Sequence, residues 1–299
     1  MSQIKGSASF AVKLFRMGSA FNRALQRMTE SFHSAVFMGL IPDDTLQEYD
    51  TYPFGDWDGA EPVSVNDDET MQAWIRNWAA RDLPDGCLVV GAGGGREIRA
   101  LRGMGFDVYG LEYDIDLANE TRRMLASVPG CESVEILSPS RFEVPKADGA
   151  FDVILIARYY LSLIHGRDKR THFLSELRPL LREGGLLAAD YFIRPESRKS
   201  PGAMAFRFQV PIANFLRVFL RGKNEWIETG DHLDPGVPLF HHHYITEEIE
   251  SELIVGGFET LTRDSTWFGW SIATPGKKIG TASHRGTAAP SQAASPALS

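Results

Sequence analysis

Three glycines at alternate positions, Gly91, Gly93 and Gly95, and a carboxylate, Glu112, 21 residues beyond the first, have types and spacing suited to chemistry. Glycine is needed where a backbone must turn tightly and approach a ligand that any Cβ would strike. An acid at that distance is placed to accept hydrogen bonds from the two hydroxyls of a ribose. Together these residues predict a nucleoside-cofactor site. A second group, His232, His241, His242 and His243, lies late in the chain and supplies candidates for a general base, because imidazole changes charge near neutral pH. If residues 241–243 are extended, His241 and His243 share one face about 7 Å apart, since side chains alternate along a strand. Adjacent histidines also invite a metal reading. No acid or cysteine cluster in the sequence supplies further ligands, so no metal is expected.

The elements that position these groups follow from the pattern around them. The apolar run Cys87–Val90 reads as a strand ending on the glycines, and Ile98 and Leu101 are the apolar positions of a following helix. Gly105 ends that helix, and a second run, Val108–Leu111, delivers Glu112 at its tip. Asp116–Ser127 reads as helix and Ser133–Leu137 as a third strand. The near-continuous run Phe151–Ala157 fits a strand covered on both faces. Asp168–Arg182 is helical up to Gly184-Gly185, and Leu186–Phe192 is a fifth strand. Thr246 is expected to cap a short helix, and Phe258–Asp264 with Trp267–Ala273 to form a closing hairpin. Strands alternating with helices predict a parallel sheet with ligands at the strands' carboxyl ends.

The glycine spacing also bears on the ligand. Dinucleotide folds place a small residue six places on from the first glycine; here that place holds Arg96, which disfavours a nicotinamide oxidoreductase. With G-x-G-x-G on Gly91, Gly93 and Gly95, the chain resembles the class I S-adenosylmethionine-dependent methyltransferases. The resemblance covers about residues 83–193 and returns over 244–274. FDVILIA, RYYLSLI and LSELRPLLREGGLLAADYF are similar to the family's fourth strand, next helix and fifth strand. It departs from the pattern at Val89, where the family often has an acid, and at Ser138-Pro139-Ser140, where it often has an Asp for the adenine amino group. The resemblance implies S-adenosylmethionine as cofactor, held by Gly91, Ala92, Gly93, Gly95, Glu112 and Tyr113, with Ser140 and Arg141 beside the adenine and Arg158 at the site mouth. It implies methyl transfer to an O or N nucleophile, with His241, His243 and Tyr160 as the catalytic candidates. A non-catalytic cofactor-binding or membrane-peripheral protein is the rival from another class.

The implied fold class is α/β: a class I methyltransferase-like parallel sheet with a C-terminal antiparallel hairpin, an N-terminal helical cap and a lid insertion. The expected boundaries are 1–82 for the cap and an acidic connector, 83–275 for the cofactor-binding domain with a lid at 194–244, and a disordered tail at 276–299. In the lid, Pro211 is expected to separate an alternating part from a helix-like part. In the cap, Phe10, Leu14, Met17, Phe21, Leu25, Met28, Phe32 and Val36 recur at the helical period, with basic residues largely on other faces. Such a helix can lie on an anionic membrane or in a partner's groove. Because most such stripes are core faces, this one is expected to pack on the chain's own core.

Composition narrows the setting. The 299 residues, 43% hydrophobic and 23% charged, hold one large α/β domain with additions or two small ones. A net charge of −8, and the absence of the [DNS]-P-P-[YF] motif of base-modifying enzymes after strand four, argue against a nucleic-acid acceptor. A small-molecule or peptide-like acceptor is expected. Two cysteines give no disulfide framework, and with no secretory signal the expected compartment is the cytoplasm.

Overall fold

The computed structural model describes residues 2–42, 86–137, 149–157, 159–194, 201–221, 226–234, 239–265 and 269–276. The acidic connector, the tail from 277 and the site candidates Ser140, Arg141 and Arg158 lie outside the described residues.

The apolar runs become the centre of a seven-stranded sheet of order β3-β2-β1-β4-β5-β9-β8. Its strands are β1 (Cys87–Val90), β2 (Val108–Leu111), β3 (Ile136–Leu137), β4 (Phe151–Ile156), β5 (Leu181–Tyr191), β8 (Phe258–Asp264) and β9 (Gly269–Pro275). The first five are parallel, and β9 then runs antiparallel to β5 and to β8. The chain order reverses between β1 and β4, so a crevice opens at their carboxyl ends. Alternation along the strands feeds two cores. Cys87, Val89, Val153 and Leu155 face Ile98 and Leu101 of α2 (Arg96–Gly103) and Ala118 and Leu125 of α3 (Ile115–Leu125). Leu88, Val90, Ile154 and Ile156 face α4 (Tyr160–Leu163), α5 (Arg167–Leu177) and α7 (Thr246–Val255) through Leu161, Phe173, Leu174, Ile249 and Leu253.

Several expectations are corrected. Strand β5 begins at Leu181, before Gly184-Gly185, because Arg178–Leu180 already leaves the helix as a 3₁₀ turn with a proline in it. Thr246 does not cap α7. Ile245 occupies that place, and its N–H donates to the Glu248 carboxylate at 3.2 Å. The lid is not split at Pro211, because a single helix, α6 (Pro201–Arg221), runs through it. A second, two-stranded sheet follows, β6 (Asp231–Leu233) paired antiparallel with β7 (Phe240–His242).

The largest correction concerns α1 (Ser2–Leu40). Its aromatic stripe does not pack on the chain's own core: Met17, Phe21, Leu25, Met28 and Phe32 are each more than half exposed. The buried side is made instead of small residues, Ser31, Ser34, Ala35 and Gly39, together with Met38. Small residues are what close helix packing requires: a Cβ on Gly39 would lie 2.7 Å from Leu216 Cβ of α6. Arg217 Nε donates to the Met38 carbonyl at 2.9 Å, and Leu233 N–H donates to Ser34 Oγ at 2.8 Å, fixing α1 to both α6 and β6. Among the described residues no helix is long and apolar enough to cross a membrane.

Candidate active site

The loop after β1 takes a backbone path closed to most residues. Gly91, Gly93 and Gly95 have φ of 73°, 48° and 74°, in the left-handed region where a Cβ is strained. Packing adds a second demand at two of them. A Cβ on Gly91 would sit 3.0 Å from Tyr160 Cδ2, and one on Gly95 3.1 Å from Leu125 Cδ2. On Gly93 the nearest atom would be 3.8 Å away, so this glycine opens onto space that a side chain would otherwise fill. Gly91 and Ala92 donate to the Leu111 carbonyl at 2.9 and 3.1 Å, which sets the loop against the tip of β2.

Glu112 stands at that tip and spans the loop. Its Oε2 accepts from Gly93 N–H at 2.9 Å and its Oε1 from Asp114 N–H at 3.1 Å. Burial pushes its pKa up, and the backbone donors at Gly93 and Asp114 offset part of that. Each carboxylate oxygen has a further lone pair, so the group can tie the loop and still accept from a ribose. The open space at Gly93 beside this acid fits the adenosyl part of S-adenosylmethionine. Asp114 caps α3 by accepting from Asp116 and Leu117 N–H, both at 2.8 Å. Thr121 of that helix donates its hydroxyl to the Gly93 carbonyl.

The rim beside the loop is aromatic. Tyr113 stacks on Tyr160 with centroids 5.8 Å apart, and Tyr160 packs on Phe173 at 5.9 Å, so the Tyr160 ring buttresses Gly91. At the tip of β4, Tyr159 takes φ 60°, the single non-glycine residue of positive φ among those described. Its N–H donates to Asp190 Oδ1 at 2.5 Å, and its ring stacks on Phe192 at 4.3 Å. Sequence reasoning did not find this pair. Asp190 is 31 residues away on β5, and no local periodicity links the two.

Phe192 carries the rim on to the histidines, lying 5.0 Å from the His241 ring and 5.4 Å from His243. The β6–β7 pairing sets His232 opposite His241. Ring centroids are 5.2 Å apart for His232–His241 and 4.7 Å for His241–His243, closer than the strand repeat because the rings tip toward one another. Burial is the main cause holding all three below their ordinary value, and neighbouring histidines add to it at His241 and His243. His241 is pushed down to about 2 and His243 to about 4. His243 Nδ1 lies 3.2 Å from the Ile193 carbonyl and must donate to it, which leaves Nε2 as the accepting nitrogen.

His242 points the other way. Its Nδ1 lies 2.6 Å from Asp231 Oδ1; burial and the nearby Arg170 guanidinium keep the ring neutral, so Nδ1–H donates to the carboxylate. Asp231, His242 and Glu228 are near enough to ligate one ion, and both carboxylates already pair within the chain. Asp231 Oδ2 accepts from Glu228 N–H at 2.7 Å, and Glu228 Oε2 pairs with Arg170 at 2.7 Å. Arg170 is buried and also grips Glu252 through Nε at 2.9 Å and Nη2 at 2.7 Å. Tyr244 Oη donates to the same Glu252 at 3.2 Å. This network, equally unseen in the sequence, holds the histidine hairpin against α5 and α7.

Comparison with known proteins agrees with this geometry. Residues 88–189 match the family model described as a methyltransferase domain. A solved S-adenosylmethionine-dependent methyltransferase from Methanosarcina mazei has the same fold, with a TM-score of 0.54 at 17% identity over 68% of this chain and 97% of that one. An amino pentose methyltransferase from Micromonospora echinaspora, solved with S-adenosylmethionine bound, is similar at 17% identity and a TM-score of 0.47, over 69% of this chain and 90% of that one. A 1,6-didemethyltoxoflavin-N1-methyltransferase from Burkholderia thailandensis is similar at 15% identity and a TM-score of 0.48, over 71% of this chain and 80% of that one. No protein of curated function matches the sequence. The sheet order and the glycine–acid loop around the matched methyltransferase domain, residues 88–189, are those of class I S-adenosylmethionine-dependent methyltransferases. The chain is an enzyme of that kind, and S-adenosylmethionine is its cofactor.

Proposed function

We propose that the enzyme methylates an O or N nucleophile on a small-molecule or peptide-like metabolite in the cytoplasm, with a rim histidine accepting the proton. The observation that carries this reading is the continuity from Tyr159 through Phe192 to His241 and His243, along the carboxyl ends of β4 and β5. Bound S-adenosylmethionine supplies a methyl group on a sulfonium, whose C–S electron pair stays on sulfur as the acceptor's lone pair bonds to carbon. Gly91, Ala92, Gly93, Gly95, Glu112 and Tyr113 hold the cofactor in this reading, with Ser140, Arg141 and Arg158 assigned around it from the sequence. The aromatic rings of Tyr159 and Phe192 shield the acceptor from water, which strengthens electrostatic interactions in the site. His243 Nε2 or His241 Nδ1 takes the acceptor's proton as the new bond forms. Tyr160 packs on the glycine loop and is assigned a positioning part. The free, buried cysteines Cys87 and Cys131 suit a reducing compartment.

Candidate metabolites incubated with isotope-labelled methyl donor, followed by mass spectrometry, identify the acceptor class. With that acceptor, His241→Ala combined with His243→Ala is expected to lower turnover roughly 10²–10⁴-fold while leaving S-adenosylhomocysteine affinity unchanged. Full turnover in the double variant refutes the base and leaves positioning alone as the source of rate.

A further inference from the structure

We infer that the exposed apolar face of α1 and α6 seats the enzyme on an anionic lipid bilayer surface. Three observations combine. Met17, Phe21 and Met28 of α1 and Phe215 and Phe219 of α6 are each about two-thirds exposed or more, and apolar side chains gathered in this way mark an interaction surface. Between the helices runs an apolar groove of about 450 Å³, lined by Phe32, Val36, Pro211, Ile212, Phe215 and Leu216. Charge is segregated to match: the two helices hold eight Lys and Arg against one acid, Glu30, a net +7 in a chain of −8, which leaves −15 for everything else.

The placement on α1 fits an interfacial helix. At 3.6 residues per turn, Met17, Phe21 and Met28 project within about 40° of one another, and Arg16, Arg23 and Arg27 form a second sector of about the same width. Lys13 falls between the two sectors. Long basic side chains can reach headgroups from the flank while the apolar stripe enters the acyl boundary. Neither helix is long and apolar enough to span, so the contact is peripheral. A second copy of this chain is the weaker occupant, because pairing the faces would bring two basic helix pairs together, whereas an anionic headgroup layer complements them.

The test uses the full chain, floated on a density gradient with vesicles of phosphatidylcholine alone or of phosphatidylcholine with about one-third phosphatidylglycerol. The protein should rise with the anionic vesicles, remain below with the neutral ones, and be released at high salt. Combining Arg16→Glu, Arg23→Glu and Arg27→Glu should lower partitioning roughly a hundredfold or more, since each basic residue near an anionic surface contributes roughly fivefold. Combining Phe21→Ser, Met28→Ser and Phe219→Ser should also reduce flotation strongly without lowering the melting temperature, because these side chains support no core. Failure to float, or flotation indifferent to both sets of variants, overturns the inference. A lipid-free dimer that does not float and that the serine variants dissociate overturns it in favour of self-association.

Discussion

Replacing Glu112 tests the cofactor loop most directly, because its carboxylate joins two chain segments and faces the open space at Gly93. In Glu112→Gln the shape is kept and the charge is lost. One amide oxygen can accept from Gly93 N–H or from Asp114 N–H, and the amide nitrogen then confronts the other donor. Hydrogen bonds to a charged group contribute about 1.5–3 kcal/mol, so losing the bonds to ribose should raise the S-adenosylhomocysteine dissociation constant roughly 10- to 150-fold. Glu112→Ala should weaken binding to a similar extent while costing less stability, since the two N–H groups can then turn to water. Titration calorimetry and thermal melts separate the effects. Burial raises the Glu112 pKa, and protonation removes acceptor capacity, so wild-type affinity should begin to fall at a higher pH than an ordinary carboxylate would dictate. Unchanged affinity in both variants refutes the ribose assignment; a lower melting point with unchanged affinity reduces Glu112 to a loop brace.

Other outcomes follow from the same structure. Asp190→Ala removes the acceptor that holds Tyr159 in a left-handed conformation. Tyr159→Gly should be more stable than Tyr159→Ala by about 1–2 kcal/mol in urea unfolding, because only the glycine is unstrained there; equal stabilities contradict the strain. Arg170→Met leaves Glu252 buried without its cation and should cost about 3–5 kcal/mol, with Glu252→Gln in the same chain recovering part of the loss; strict additivity refutes the coupling. His241 and His243 have depressed native pKa values, so the unfolded chain binds protons first as pH falls below its own value of about 6.5. Stability should therefore be full above that pH and decline toward pH 4 by about 1.4 kcal/mol per unit for each neutral histidine. A His241→Gln variant with the same slope as the wild type contradicts their burial.

The parts that were legible in the sequence share one property: their cause is local. Cys87–Val90 is an apolar run bounded by glycines and Val108–Leu111 one bounded by acids, and both strands lie where those boundaries put them. The loop was legible because three positive-φ positions had to be glycine. What escaped depends on distant partners. The stripe on α1 has the right period for a core face, yet the side used for packing is the small-residue side, chosen by the fit of Gly39 against Leu216. Pro211 reads as a breaker, but α6 runs on through it with the proline on its exposed side. Arg170 looks like any basic residue on a helix. Only the folded chain brings it to Glu252, 82 positions away.

The depressed pKa values of the histidines decide what kind of base they can be. Three imidazoles with centroids 4.7 to 6.2 Å apart cannot all be charged at once. At an effective dielectric of about 20, each pair of unit charges at that spacing costs about 3 kcal/mol. Burial keeps the cluster neutral, so on the proposed reading it does not repel the cofactor's positive charge. The consequence is a weak base. A group titrating at about 4 or about 2 does not strip a proton from a resting hydroxyl or ammonium near neutral pH. It needs only to accept a proton once bonding to carbon has placed positive charge on the acceptor atom and made that atom strongly acidic. On the proposed reading, proton transfer therefore follows or accompanies methyl transfer. An acceptor such as an alcohol or a neutral amine suits this order, whereas an ammonium acceptor would have to lose its proton before it enters the site.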